Sequence, residues 1–123
     1  MKKWDVVRIY CGFLKQPHDK YCICICPERR WFYFINSEPP QFRKARALAI
    51  SIENYEAVFL NRVSYVDTTK VEKNLDTDSI DQAITDQDRH CGAIMPTIRE
   101  RIRGAVGQHN VLTEEELSLI MDM

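Results

Sequence analysis

The chain has 123 residues, of which 45% are hydrophobic and 28% charged, and its formal net charge is −1 at pH 7. This size predicts one domain over residues 1–123, and no apolar run approaches the ~18 residues that a transmembrane helix needs, so no such helix is expected. The N-terminal Met-Lys-Lys-Trp-Asp lacks the apolar region of a secretory signal, so we expect a cytoplasmic protein that does not associate with membranes.

The charges are unevenly distributed along the chain. Residues 1–50 carry ten Lys/Arg against four Asp/Glu, a balance of +6, whereas residues 51–123 carry seven against fourteen, a balance of −7. A basic part of this kind can attract a polyanion. Alternatively, the two parts neutralise each other within one fold. The composition leaves both interpretations open.

The first twenty residues predict one strand and one loop. The strand covers Trp4–Cys11, with Trp4 and Val6 on one side and Val7 and Ile9 on the other. Gly12–Lys20 is predicted to be a loop because Gly12 and Pro17 punctuate it. This loop holds several polar and charged side chains.

Tyr21–Ser37 predicts a β-hairpin around which the rest of the chain is arranged. Two runs rich in aromatic and β-branched residues flank Pro27, which suits the first central position of a turn. Because neither run alternates with polar residues, neither strand has a solvent face. We therefore expect both sides of the hairpin to be covered, by a core and by helices or a partner.

The region from 38 to 67 predicts two further strands. Gln41–Arg46 is interpreted as a basic connection into a fourth strand at Ala47–Ile52. Asn54–Asn61 is predicted to be a loop or a single helical turn, and Val63–Asp67 a fifth strand.

The remainder predicts helices. Asp76–Ile84 begins with acidic residues, and Pro96–Val106 has Pro96 in its first turn and Gly107 as its expected stop. Between these two helices we expect a connection at residues 90–92. Thr113 opens a capping box, and the last helix is expected to pack through Leu117, Ile120 and Met121.

Five short strands followed by helices predict a mainly β fold, a small barrel or twisted sheet at about residues 1–70 with a helical part at about 76–123. A doubly wound fold is excluded because the first 67 residues leave no room for helices between strands.

Four stretches, in this order, resemble a known family. Trp4–Ile9 is similar to its opening strand, Phe32–Ser37 to a strand that ends in Thr or Ser, Ser64–Asp67 to its "S-x-V" strand, and His90–Val106 to its glycine-then-helix ending. This family is that of the MazF/PemK toxins of type II toxin–antitoxin systems.

The resemblance implies an SH3-like barrel that forms a homodimer, cleaves single-stranded RNA without a cofactor or metal, and is blocked by an antitoxin protein. An ungapped match places Lys20 at the family's catalytic Arg and Tyr21 at the Pro that follows it. Ser37 falls at the catalytic Thr/Ser. The glycine-rich first loop of the family has no counterpart here.

Metal-free RNA cleavage requires a base for the 2′-hydroxyl, an acid for the leaving oxygen and cations near the phosphate. His18 is of the residue type that exchanges protons near neutral pH, and Lys15 and Lys20 lie beside it as point charges. Ser37 offers a hydrogen-bond donor. The alternatives are that His18 is a solvated loop residue and that Ser37 only ends a strand.

Two basic pairs are candidate RNA-binding residues. Arg29 and Arg30, next to Trp31, can contact phosphates and stack bases. Arg43 and Lys44, together with Arg46, form a second basic segment. The alternative for both pairs is simple solvation.

The five cysteines are expected to be reduced and unmetallated. Cys22, Cys24 and Cys26 lie along one face of a strand, where side chains two apart point in parallel and cannot easily form a disulfide. Zinc bound with Cys11 or His90 is an alternative, but C-x-C-x-C on a strand lacks the chelating turn of common zinc sites. Thiols that pack as small apolar groups are the favoured interpretation.

The sequence thus leaves two functions open. One is a dimeric endoribonuclease toxin, and the other is a non-catalytic barrel of toxin descent that binds a protein or nucleic-acid partner. The predicted homodimer rests on the family resemblance and on the hairpin that lacks a solvent face.

Overall fold

The computed structural model describes residues 1–122, which form six strands and four α-helices. In chain order these are β1 (Asp5–Cys11), β2 (His18–Cys26), β3 (Trp31–Ile35), α1 (Arg43–Leu48), β4 (Ile50–Ile52), β5 (Ser64–Val66), α2 (Thr77–Thr85), β6 (His90–Ala93), α3 (Pro96–Gln108) and α4 (Glu114–Met121). Among these residues, no helix has both the length and the apolar character that crossing a bilayer requires.

The strands form two sheets. A four-stranded antiparallel sheet has the order β3-β2-β1-β6, and β4 and β5 form a small antiparallel pair. The two sheets are joined where Asn36 and Tyr65 exchange backbone hydrogen bonds of 2.8 and 2.7 Å. They do not close into a barrel, and the helices hold more residues than the strands. The fold is therefore mixed α/β rather than the predicted mainly β class.

Both faces of the β2–β3 hairpin are buried, which confirms the main prediction about it. Ile23, Ile25 and Tyr33 lie in a core that includes Ile98 and Ile102 of α3. The opposite face contributes two cysteines and an aromatic ring to a second core, which also includes residues of β1 and the buried side of α2. Its members include Cys22, Cys24, Phe32, Ile80 and Ala83. Each fully buried Ile contributes about 1.5–3 kcal/mol relative to an exposed one.

This double coverage removes one argument for a dimer. The chain's own helices cover both faces of the hairpin, so the hairpin does not need a second subunit to bury it. The homodimer remains a prediction that rests on the family resemblance alone.

Several local predictions are confirmed. Strand β1, the hairpin, strand β5, the helical turn Asn54–Glu56 and helices α2, α3 and α4 lie where the sequence placed them, within a few residues at their ends. The capping box is present: the Thr113 hydroxyl accepts from the Glu116 N–H at 3.1 Å, and Glu116 Oε1 accepts from the Thr113 N–H at 2.8 Å.

Two predicted elements are wrong. The segment Ala47–Ile52 was expected to be a strand, but α1 ends at Leu48 and only Ile50–Ile52 is extended, because Ala, Leu, Arg and Lys favour a helix locally. The expected connection at residues 90–92 is instead the edge strand β6, in which His90 pairs with Val7 of β1. Gly92 has φ +86°, a left-handed conformation that favours glycine.

The predicted bounds of three other segments need correction. β2 begins at His18, opposite Cys11, so the first loop ends at Pro17 and His18 to Lys20 lie on a strand. Helix α3 continues through Gly107 to Gln108. In α4 only Ile120 of the expected apolar side is buried, whereas Leu117 and Met121 are exposed and the capping residue Glu116 is buried instead.

All five cysteines are free thiols, and four of them are buried. Burial raises the pKa of Cys11 to about 11 and that of Cys24 to about 12, and it also raises the pKa of Cys22. Within residues 1–122, no group of three or more metal-ligating side chains lies close enough together to hold a metal ion.

We predict that Cys91, which is partly exposed while the other four cysteines are buried, is the only thiol that reacts readily in the native protein, because a reagent can reach it without opening the core. Burial also raises the pKa of Cys91, so it should react more slowly than a free cysteine. Titration with a chromogenic disulfide should give one reactive thiol per native chain and five after denaturation. Cys91→Ser should abolish the native reaction. Rapid reaction of a second native thiol would contradict this assignment.

His109 joins the end of α3 to the segment that follows β5. Its Nδ1 accepts from the Val111 N–H at 3.4 Å, and its Nε2 lies 3.3 Å from the buried Thr68 hydroxyl, which donates to the Leu48 carbonyl at 2.8 Å. This pattern fits a neutral imidazole with its proton on Nε2. Burial lowers the pKa of His109 below 6.5, with Asp67 opposing this shift and Lys44 adding to it.

We predict that His109 makes the protein less stable in mild acid. Because its folded-state pKa is lowered, the unfolded chain binds more protons, and the free energy of unfolding falls as pH drops below about 6.5. Thermal midpoints measured between pH 7.5 and 5 should fall, and His109→Gln should reduce the slope.

His18→Ala is the matched control for this experiment, since His18 is exposed and lies outside the network. An unchanged slope in His109→Gln would show that other groups carry the pH dependence.

Candidate functional site

The end of the β2–β3 hairpin and the segment before β5 enclose a cleft of about 240 Å³, here called the Ser37 cleft. Its lining is largely polar, with three basic residues, one acidic residue and three uncharged polar ones, and aromatic and aliphatic groups lie at its sides. The lining residues are His18, Asp19, Lys20, Tyr21, Ile35, Ser37, Phe59, Leu60, Asn61, Arg62 and Ser64.

Backbone pairing positions this cleft. The Asn36–Tyr65 bridge brings the residue after it, Ser37, next to the strand that carries Ser64. Across the cleft, the Tyr21 hydroxyl donates to the Phe59 carbonyl at 3.2 Å, and the two rings lie 4.9 Å apart. These contacts hold the segment that precedes β5 against β2.

His18 and Asp19 enter the cleft from the start of β2. His18 is exposed, and its Nδ1 lies 2.7 Å from the Gln16 carbonyl, so Nδ1 is the protonated nitrogen of the neutral ring and Nε2 is free to accept a proton. Asp19 lies 3.1 Å from Arg89 and 3.7 Å from Arg8. Two guanidinium groups therefore offset its charge, so Asp19 does little to repel an anion.

Lys20 lies between the Ser37 cleft and a neighbouring one. Its ammonium group donates to the side-chain oxygen of Asn36 and lies 5.2 Å from the centre of the Phe34 ring. Asn36 and Phe34 line the second cleft and not the Ser37 cleft. Burial lowers the pKa of Lys20. His18 and Ser37 thus share one cleft, while the Lys20 ammonium is on the far side of its wall.

Arg62 was not among the predicted site residues. Its side chain is exposed at the cleft and forms no ion pair or hydrogen bond with other groups of residues 1–122. A free guanidinium fork is well suited to bind phosphate in a bidentate manner. Antiparallel pairing of Ser64–Val66 with the end of the hairpin would have placed Arg62 near Ser37, but that pairing is not visible in local sequence patterns.

Arg29 and Arg30, the first candidate RNA-binding pair, are engaged within the chain. Arg29 forms an ion pair with Glu115 and lies 5.2 Å from the Trp31 ring, and Arg30 donates to Asp81 at 2.6 Å. The hairpin tip is therefore tied to α4 on one side and to α2 on the other. Neither arginine lines the Ser37 cleft.

Lys15, Arg43 and Lys44 are exposed and lie outside the lining of the Ser37 cleft. Lys15 lies in the loop that precedes β2, and the other two lie in the first turn of α1. None of them takes part in an ion pair among residues 1–122. They are free to contact a long ligand that extends beyond the cleft.

Comparison with protein-family models gives no match, and comparison with curated proteins gives none either.

Proposed function

We propose that the chain is an endoribonuclease toxin of the MazF/PemK type, which cleaves single-stranded RNA in the Ser37 cleft without a metal ion. The observation that carries this proposal is that His18, Ser37 and Arg62 line one cleft. The proposal includes an SH3-like origin for the two sheets, which are linked at Asn36 and Tyr65.

The proposed reaction is an internal transesterification. The 2′-oxygen attacks the adjacent phosphorus, the bond from phosphorus to the 5′-oxygen breaks, and the products are a 2′,3′-cyclic phosphate and a free 5′-hydroxyl. His18 takes the proton of the 2′-hydroxyl, and water supplies a proton to the leaving oxygen. Arg62 binds the charged phosphate oxygens, and the Ser37 hydroxyl donates a hydrogen bond to one of them.

The resemblance extends the proposal to partners. An antitoxin protein covers the cleft in its inhibited state, the active form is a homodimer, and the location is the cytoplasm. The exposed Lys15, Arg43 and Lys44 provide further cations for RNA outside the cleft.

We expect the purified protein to cleave single-stranded RNA in the presence of a chelator, and to leave the same oligonucleotide intact when the nucleotide 5′ of the cleaved bond is 2′-deoxy. Arg62→Ala should slow cleavage at least ~10²-fold if its cation stabilises the transition state. Lys20→Ala should cause the same loss if the Lys20 ammonium leaves Asn36 for the phosphate when RNA binds. His18→Ala should slow it ~10²–10⁴-fold if His18 is the base. Gel analysis of end-labelled RNA measures all three.

His90→Ala is the matched histidine control, because His90 lies on β6 outside the cleft. Its cleavage rate should equal that of the wild type. Wild-type protein that leaves RNA intact across pH 6–8 would rule out the enzyme.

Binding of RNA should weaken as salt rises. For single strands, each neutralised phosphate contributes about −0.7 to the slope of log K against log salt. Arg62→Ala should therefore reduce the slope by about 0.7. Arg30→Ala should leave it unchanged, because that guanidinium is already paired with Asp81. Equal slopes in the wild type and in Arg62→Ala would exclude Arg62 as a phosphate ligand.

The second candidate function is a non-catalytic module that binds RNA or a protein partner. The orientation of Lys20 favours it, since the ammonium group bonds to Asn36 rather than facing the Ser37 cleft. Induced expression in a host without an antitoxin separates the two functions: arrested growth and cut messenger RNA indicate the enzyme, and intact messenger RNA indicates the binding module.

A further inference from the structure

A second cleft, here called the Glu72 cleft, lies on the other side of Lys20 and has a volume of about 270 Å³. It is bounded by the loop between β1 and β2, the end of β3 and the segment 67–72. Its walls combine two aromatic rings with groups of opposite charge. Its lining includes Phe13, Lys20, Phe34, Asn36 and Glu72.

The Glu72 carboxylate is held in this cleft without a hydrogen bond. Its backbone is fixed by two hydrogen bonds to Phe32 of 3.0 and 2.7 Å, and its side chain is only 13% exposed. Lys70 lies 3.8 Å away, beyond hydrogen-bonding distance, and no donor among residues 1–122 reaches the carboxylate. Burial raises the pKa of Glu72, and the ion pair with Lys70 opposes this shift. The carboxylate oxygens therefore keep their capacity to accept hydrogen bonds from a ligand.

The other acid in the cleft, Asp67, is already satisfied. Its Oδ1 accepts from the Thr69 N–H at 3.0 Å and from the Thr69 hydroxyl at 2.6 Å. Glu72 is therefore the acceptor that is open to a ligand. A carboxylate can accept two parallel N–H groups from one planar partner.

Donors and a stacking surface are also available. The Asn36 side-chain oxygen is occupied by Lys20, so its NH₂ group faces no competing acceptor among residues 1–122. Phe13 is 63% exposed, so one face of its ring is open to stacking with a planar ligand. The cleft thus offers an open aromatic ring, amide and ammonium donors, and a carboxylate acceptor.

We propose that the Glu72 cleft binds a guanine base. Guanine presents two donors, N1–H and the N2 amino group, side by side on one edge, with the O6 acceptor next to them. The two donors match the Glu72 carboxylate, and O6 can accept from Asn36 or Lys20. Adenine, cytosine and uracil each place only one donor group on the corresponding edge. Phe13 stacks on the face of the base.

The link to RNA rests on the proposed function. Lys20 borders both clefts, so a guanine in the Glu72 cleft lies beside a phosphate in the Ser37 cleft. The guanine would then determine where RNA is cut. The same chemistry also fits a free guanine nucleotide, and the experiment below separates the two sources.

The first measurement is the binding of 5′-GMP, 5′-AMP, 5′-CMP, 5′-UMP and 5′-IMP to the purified chain by titration calorimetry. We expect 5′-GMP to bind at least about tenfold more tightly than the others, which is the discrimination typical of a bidentate base contact. 5′-IMP, which lacks the N2 amino group, should bind more weakly than 5′-GMP. Equal binding of all five nucleotides, or no binding of any, would overturn the proposal.

Two variants separate recognition from stacking. Glu72→Gln keeps the size of the side chain but removes one acceptor, so the preference for 5′-GMP should fall about tenfold or more while the other nucleotides bind as before. Phe13→Ala should weaken the binding of all five nucleotides about tenfold, because stacking does not depend on the identity of the base. Glu114→Gln, on the exposed start of α4, is the control and should change nothing.

RNA oligonucleotides with and without guanine complete the test. The proposal is supported if the wild-type protein cleaves only at sites next to guanine and the Glu72→Gln variant cleaves without regard to guanine. If the wild-type protein cleaves RNA without any preference for guanine, this inference is overturned while the endoribonuclease proposal stands. Selective binding of 5′-GMP by a protein that leaves RNA intact supports the guanine cleft and rejects the endoribonuclease.

Discussion

The burial of the β2–β3 hairpin on both faces is the constraint on which the rest of the fold depends. A strand that presents cysteines on one side and isoleucines on the other must be covered twice. The acidic helix α2 covers the first side, and α3 and α4 cover the second. Because both layers come from the second half of the chain, the hairpin tip becomes a junction at which Arg29 and Arg30 meet Glu115 and Asp81.

Sequence patterns predicted the elements whose causes are local. The Thr113 capping box, the proline start of α3 and the double-sided hairpin all depend on residues close together in the chain. The prediction failed where distant pairing decides the structure. Nothing in His90–Ala93 resembles a strand, and it becomes one only because β1 offers a free edge. At residues 43–48 the error was different: Gln41–Arg46 was predicted to be a connection and Ala47–Ile52 a strand, whereas the good helix formers of this segment form α1.

The same distinction between local and distant causes explains which residues of the candidate site could be predicted from the sequence. His18 and Ser37 were identifiable because they flank the hairpin, and the structure places them in one cleft. Arg62 was not, because its position depends on the bridge between Asn36 and Tyr65, which are far apart in sequence. Lys20 was predicted to share a site with His18 and Ser37, but its ammonium group lies outside their cleft. Because side chains alternate along β2, Lys20 is on the same face as Cys22, and its ammonium contacts Asn36 and Phe34 there.

The uneven charge of the chain has a structural consequence for any RNA ligand. Two cations of the basic first part form ion pairs with acids of the second part, Arg29 with Glu115 and Arg30 with Asp81. Few exposed cations remain near the Ser37 cleft, and phosphate contacts alone therefore give limited affinity. Since phosphates carry no sequence information, a selective complex must gain its remaining free energy from the bases. A carboxylate and an open aromatic ring in the adjoining cleft are groups that can supply it.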